Sequence, residues 1–182
     1  MGAVGRARTV ARSILKKHRI TSPPIDVNKL IAAEAPGYRV IYEERWPADM
    51  SGLTNRTEKT IRINRKHPPL RQRFSMAHEL GHICLDHETI LPHRIEEETL
   101  GREFEKEADE FASELLMPIQ MFKRAFSSTP NLDTLAQLFQ VSTSAVSYKG
   151  TVSSSPRKFV NVFVKTDGKW LCVAHVETPV AE

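Results

Sequence analysis

The sequence predicts an α+β domain in which a small sheet packs on one helix, followed by a helical C-terminal part and a terminal β-hairpin. Three observations carry that reading. Residues 38–42, 50–54 and 60–64 alternate apolar and polar side chains with the two-residue period of strands. Residues 69–86 and 103–116 instead repeat apolar positions three and four apart, the period of helices with one buried face. Near the C-terminus, residues 159–165 and 170–176 flank Asp167-Gly168, a strong turn signal between paired strands.

Along the chain, residues 3–19 form a basic amphipathic helix, broken by Thr21-Ser22-Pro23-Pro24. Residues 25–34 give a short helix with Asp26 as N-cap. After the three strands, His67-Pro68-Pro69 opens the next helix, since proline suits a helix start. Its expected buried face is Phe74, Ala77, Gly81, Cys84 and Leu85. A loop through Pro92 leads to an acidic helix ending before Pro118, with Phe104, Ala108, Phe111, Ala112 and Leu115 as its buried stripe. Segments 119–126, 132–139 and 143–149 read as three short helices, and 151–156 as a Ser-rich linker. The expected organisation is a basic arm (1–22), a main domain (23–150) that includes a helical hairpin (131–149), and a linker with hairpin (151–182).

Composition bounds the function. A chain of 182 residues that is 40% hydrophobic can bury a proper core. It has no apolar run near the ~18 residues that a membrane span requires and no secretory signal, so no membrane association is expected. With only Cys84 and Cys172, the first inside a helix with a buried face, a buried thiol in a reducing cytoplasm is expected. Charge is blocked: residues 1–20 and 56–73 are basic, 86–114 acidic. These blocks read as solvated helix faces and a disordered basic arm, with steering of a charged partner as the alternative.

Chemistry concentrates in His78-Glu79-Leu80-Gly81-His82. Two histidines four apart lie on one helix face and can reach a single metal ion. Glu79 stands roughly 100° round the helix, clear of the metal but near enough to take a proton from water. A zinc centre of this kind needs a third protein ligand and an open fourth position. His87 follows His82 by five residues rather than six and lacks the intervening glycine of the longer three-histidine motif; His93 lies in a loop and reads as exposed. The acidic helix is the better source. Glu105 and Asp109 share a face there, so Glu105 can ligate while Asp109 orients a ligand histidine, the ExxxD pattern of gluzincins. Glu107 competes with Glu105, because it falls in the same run and one turn of error would exchange them.

The HExxH pentapeptide, followed by the run from Glu105 to Pro118 of the form ExEADxFAxxLLMP, resembles the signature pair of the ImmA/IrrE zinc metallopeptidases. Leu135, Ala136, Phe139, Val141 and Ser142 also match the segment that usually follows. The resemblance covers roughly residues 25–150 and implies a zincin-like domain holding one Zn2+ per chain. It further implies cleavage of helix-turn-helix repressors in phages, mobile elements or stress regulons. In this reading zinc sits on His78, His82 and Glu105, Glu79 is the general base, and Asp109 supports a ligand from behind. The segment Met50-Ser51-Gly52-Leu53-Thr54 is the candidate edge strand for an extended peptide. His67, His93, Tyr42 and Tyr148 are unranked candidates for stabilising an oxyanion.

Two other functions fit parts of the chain. One is a non-proteolytic binding protein, such as a toxin–antitoxin partner, that keeps the metal site. The other is a DNA-binding regulator using residues 132–149. That segment offers only Lys149 as a cation on the would-be recognition helix, so direct DNA binding is not expected. Nothing in the sequence sets an oligomeric state.

Overall fold

The computed structural model describes residues 3–87, 95–142, 147–152, 157–166 and 169–179, with side chains for 5–87 and 101–142. The chain divides into two compact units. The first comprises residues 1–21 and 25–116, the second residues 22–24 and 117–182. The division falls at Leu116/Met117, inside the main domain expected from sequence, and the N-terminal helix belongs to the first unit.

In that unit, helices α1 (Ala3–Lys17) and α2 (Val27–Glu34) precede strands β1 (Arg39–Glu43), β2 (Gly52–Asn55) and β3 (Thr60–Asn64). Asp26 caps α2, accepting a hydrogen bond from the Lys29 backbone N–H. The sheet order is β1-β3-β2, with β1 parallel and β2 antiparallel to β3. Ile61 and Ile63 make β3 the fully buried central strand, while β2 lies at an edge.

Helix α3 (Pro69–Cys84) follows, with proline at its first turn. Its buried positions are Ser75, Met76, Ala77, Glu79, Leu80 and Gly81. The expected face is thus rotated: Phe74 and Cys84 are only half-buried, because α3 is covered by the sheet on one side and by α4 (Ile95–Leu116) on another. Burial, with a smaller push from Glu34, raises the Cys84 thiol to about 12; the thiol is free, and half-buried where the sequence suggested a buried one.

The basic N-terminal segment is no solvated arm. Arg8 Nε donates to Glu110 Oε2 at 2.7 Å and Arg12 Nε to Glu114 Oε1 at 2.8 Å, pairing α1 with the acidic α4. Both glutamates are buried. Burial pushes the Glu110 carboxyl up, opposed by the Arg8 guanidinium. A buried carboxylate of this kind is tolerated because its cation is in contact.

Gly81 sets the spacing of α3 and α4. A Cβ there would stand 3.0 Å from Phe111 Cδ1 and 3.3 Å from both Cα and O of Ala108. Ala normally gains ~1 kcal/mol over Gly within a helix, but overpacking against backbone costs ~1–3 kcal/mol. The neighbouring backbone belongs to a helix already tied to α1, so it has little room to yield. Gly81→Ala is therefore expected to lower the denaturation midpoint, and an unchanged or higher midpoint would show that α4 moves freely.

In the second unit, α5 (Ile119–Ser128) and α6 (Leu132–Phe139) pack through Phe122 and Phe139, ring centroids 5.8 Å apart. Asn131 caps α6 through the Thr134 backbone N–H. Beyond them the sequence expectation fails. Residues 147–149, read as helical, belong to strand β4 (Ser147–Val152), which pairs with β5 (Arg157–Thr166); β5 pairs in turn with β6 (Lys169–Pro179). The expected hairpin is present but is two strands of a three-stranded antiparallel sheet, and β4 takes Thr151 and Val152 from the expected linker. The reason is non-local. Tyr148, Thr151 and Val152 suit a strand once a partner is alongside, and the partner lies beyond the intervening residues. Residues 143–146 and the Asp167-Gly168 turn fall outside the described residues.

Candidate metal centre

Helix periodicity places His78 and His82 one turn apart on α3, and the close approach at Gly81 brings α4 against them. His78 Nε2 and His82 Nε2 are 3.0 Å apart. Glu105 reaches in from α4, Oε2 at 3.2 Å from His78 Nε2 and Oε1 at 3.3 Å from His82 Nε2. The three donor groups lie within 4.8 Å of one another. The histidine side chains are 13% and 16% exposed and Glu105 62%, so the cluster opens to solvent on the carboxylate side.

Asp109, one turn beyond Glu105, has Oδ1 2.9 Å from His78 Nδ1. A carboxylate in that position accepts the Nδ1 proton, so that once Nε2 gives up its proton, as metal binding requires, the Nε2 lone pair faces the cluster. Burial disfavours a charged His78, yet hydrogen bonding to Asp109 and Glu105 outweighs it and raises the pKa to about 10. For Glu105, burial acts upward, but bonding to both histidines holds the carboxyl far below its ordinary range. The pocket is an anionic field that rewards positive charge between the three groups. Two imidazole nitrogens and one carboxylate, with the remaining side open, fit the ligand set of a catalytic zinc ion.

Glu79 is buried and lies outside the donor set. Thr54 Oγ1 on β2 donates to its Oε2 at 2.7 Å. Gly52, on the same face of β2, leaves the room this carboxylate occupies: a Cβ there would be 2.5 Å from Glu79 Oε1 and 3.0 Å from its Cγ. Gly52→Ala is accordingly expected to keep the fold and metal binding, since the flexible end of Glu79 can swing away. Hydrolysis should nevertheless fall at least tenfold, within the range general-base catalysis supplies. Wild-type turnover in this variant would show that the position of Glu79 is not critical.

The other side of His82 holds groups that sequence reasoning missed. Asp86 takes a left-handed conformation (φ 56) just past α3, as short polar residues do at helix ends. This turns the chain back so that the His87 N–H donates to the His82 carbonyl at 3.0 Å. His87 Nδ1 then lies 3.1 Å from His82 Nδ1, and His87 Nε2 lies 2.8 Å from Glu107 Oε2. Burial lowers the pKa of His87 against the pull of Glu107. The available signal was a histidine just beyond the end of the motif helix; it was weighed as a ligand and not as a ligand's partner. Glu107, the rival for third ligand, is engaged there instead of in the donor cluster.

Among the described candidates, His67 and Tyr42 are not brought to the cluster. His67 Nε2 pairs with the Ala48 carbonyl at 2.9 Å. Tyr42 turns its hydroxyl toward Met76 Sδ, 3.9 Å away, beneath the Arg65 guanidinium. His93 and the side chain of Tyr148 lie outside the described residues. Met50 and Ser51 lead into β2, their carbonyls accepting from Asn64 Nδ2 and the Asn64 N–H. Gly52, Leu53 and Thr54 form the edge strand itself, with Leu53 43% exposed.

Two histidines on one helix, a carboxylate from the next that faces both, and a second carboxylate beside them make an HExxH centre that could hold a metal ion. Residues 33–151 match the IrrE N-terminal-like domain of the M78 peptidases, and the chain belongs to that family. The family is a zinc metallopeptidase group, as the resemblance implied. No curated protein sequence matches the chain. Among solved structures, the chain is similar to a Mycobacterium tuberculosis transcriptional regulator, at 18% identity and a TM-score of 0.59. That likeness covers 76% of this chain and 44% of the regulator, so the chain spans less than half of that protein, and it concerns the fold alone. Among the described residues, no helix is long and apolar enough to cross a membrane.

Proposed function

We propose that the protein is a cytoplasmic zinc-dependent endopeptidase that cleaves a protein substrate, a helix-turn-helix transcriptional repressor, in the gene regulation of a phage, mobile element or stress response. The observation that carries the proposal is the convergence of His78, His82 and Glu105, with Glu79 beside them but outside the donor set. Repressor cleavage rests on membership of the M78 family and on the resemblance to ImmA/IrrE proteins.

His78, His82 and Glu105 would hold the ion, which when bound polarises the scissile carbonyl and makes water more acidic. Asp109 keeps His78 turned with Nε2 inward. Glu79, steadied by Thr54, takes a proton from the attacking water and delivers it to the leaving amine. Among the described residues β2 is an edge strand of the sheet, to which an extended substrate would add by backbone hydrogen bonds. Specificity then comes from side-chain pockets and from the fold of the partner.

The test is incubation of zinc-loaded protein with helix-turn-helix repressors, with new chain ends identified by mass spectrometry. Cleavage at one defined bond, abolished by a chelator and restored by zinc, is the expected result. Intact repressors throughout, with zinc bound, would overturn the repressor assignment.

A further inference from the structure

We propose that His87, backed by Glu107 and Arg6, is a positioning residue that decides which nitrogen of His82 faces the metal. The inference rests on the metal-centre reading above and extends it to groups that touch neither ion nor substrate.

One chain of contacts runs from Glu107 through His87 to His82. A carboxylate oxygen accepts, so His87 Nε2, 2.8 Å from Glu107 Oε2, is the donor of that contact. In the neutral ring, Nδ1 is then an acceptor. It lies 3.1 Å from His82 Nδ1, which must therefore donate. With its proton on Nδ1, His82 presents a bare Nε2 to His78 and Glu105. The ring that enforces this has little freedom: it is buried and stacked on Phe104, centroids 4.3 Å apart and planes within 6°. Glu107 is itself held. Arg6 Nη1 lies 3.7 Å from its Oε2, and Arg6 Nη2 donates to the Leu85 carbonyl at 2.7 Å. The N-terminal helix thus reaches the metal centre through Arg6, Glu107, His87 and His82. The two ligand histidines are oriented by different means, His78 directly by a carboxylate and His82 through a second imidazole.

Two substitutions separate positioning from packing. His87→Phe keeps a flat ring on Phe104 but has no acceptor for His82. His87→Asn loses the stack but offers a carbonyl oxygen where Nδ1 stood. Zinc affinity, measured by competition with a chromophoric chelator, is expected to fall ~10–100-fold in the Phe variant, as for other partners of metal-bound histidines. It should recover largely in the Asn variant. A purely structural role predicts the reverse order, and equal affinity of wild type and His87→Phe would overturn the proposal. Nitrogen NMR of zinc-loaded wild type gives an answer independent of how the variants fold. His87 protonated on Nε2 and bare on Nδ1 supports the proposal, and the opposite tautomer overturns it. Wild type that binds no zinc would instead remove the metal-centre reading itself.

Discussion

Replacing Glu79 with Gln is expected to lower peptide cleavage by roughly 10²–10⁴-fold, the usual worth of a positioned general base, while zinc content stays at the wild-type level. The donor cluster consists of His78, His82 and Glu105, so loss of the Glu79 charge removes no ligand. Gln preserves the buried volume against Gly52 and still offers an oxygen to Thr54 Oγ1, which now donates at 2.7 Å. What disappears is basicity. Ala would be a poorer choice, because truncating a buried side chain adds a cavity and confuses stability with catalysis. Turnover and metal content should be measured on the same preparation. A variant that retains full biological activity with zinc bound would sink the peptidase reading in favour of a protein that acts by binding.

Much of this site was legible in the sequence because its signals are local. A four-residue histidine spacing has one meaning on a helix, and Pro69 and Pro118 bracket the helical region. The strand at 60–64 was legible for the same reason: Ile61 and Ile63 alternate, and β3 forms over those residues. The choice between Glu105 and Glu107 was not local. Residues two apart on a helix point roughly 200° apart, so the decision is the rotation of α4 about its axis. That rotation depends on α1: Glu110 and Glu114 meet Arg8 and Arg12, about a hundred positions away in the chain. A basic block and an acidic block read separately look like solvated surfaces, and only their juxtaposition makes them an interface.

The same distinction explains the other misreadings. Strand β4 needs β5 beside it, and its own residues also fit a helical frame, so the short-range pattern could not decide. His87 is a case of chemistry hidden by category. Spacing excluded it as a ligand, and nothing in a linear reading reveals that the turn at Asp86 folds its ring behind His82.

Glu105→Ala is expected to reduce bound zinc from about one ion per chain to a trace after dialysis. The loss of affinity should exceed the ~10–100-fold typical of removing a ligand's hydrogen-bonding partner. Glu105 is the one anionic group in the donor cluster, and its two oxygens face both ligand histidines. The next acids along α4 are already engaged, Glu107 by His87 and Asp109 by His78. The fold should survive. Glu105 projects 62% exposed from α4, whose buried stripe runs through Ala108, Phe111, Ala112 and Leu115. Truncation there opens no cavity in that stripe. Metal loss without unfolding would therefore assign the effect to coordination and not to collapse. Retention of a full equivalent would mean that the two histidines recruit another acid, and the geometry that made Glu105 the third ligand would have to be abandoned.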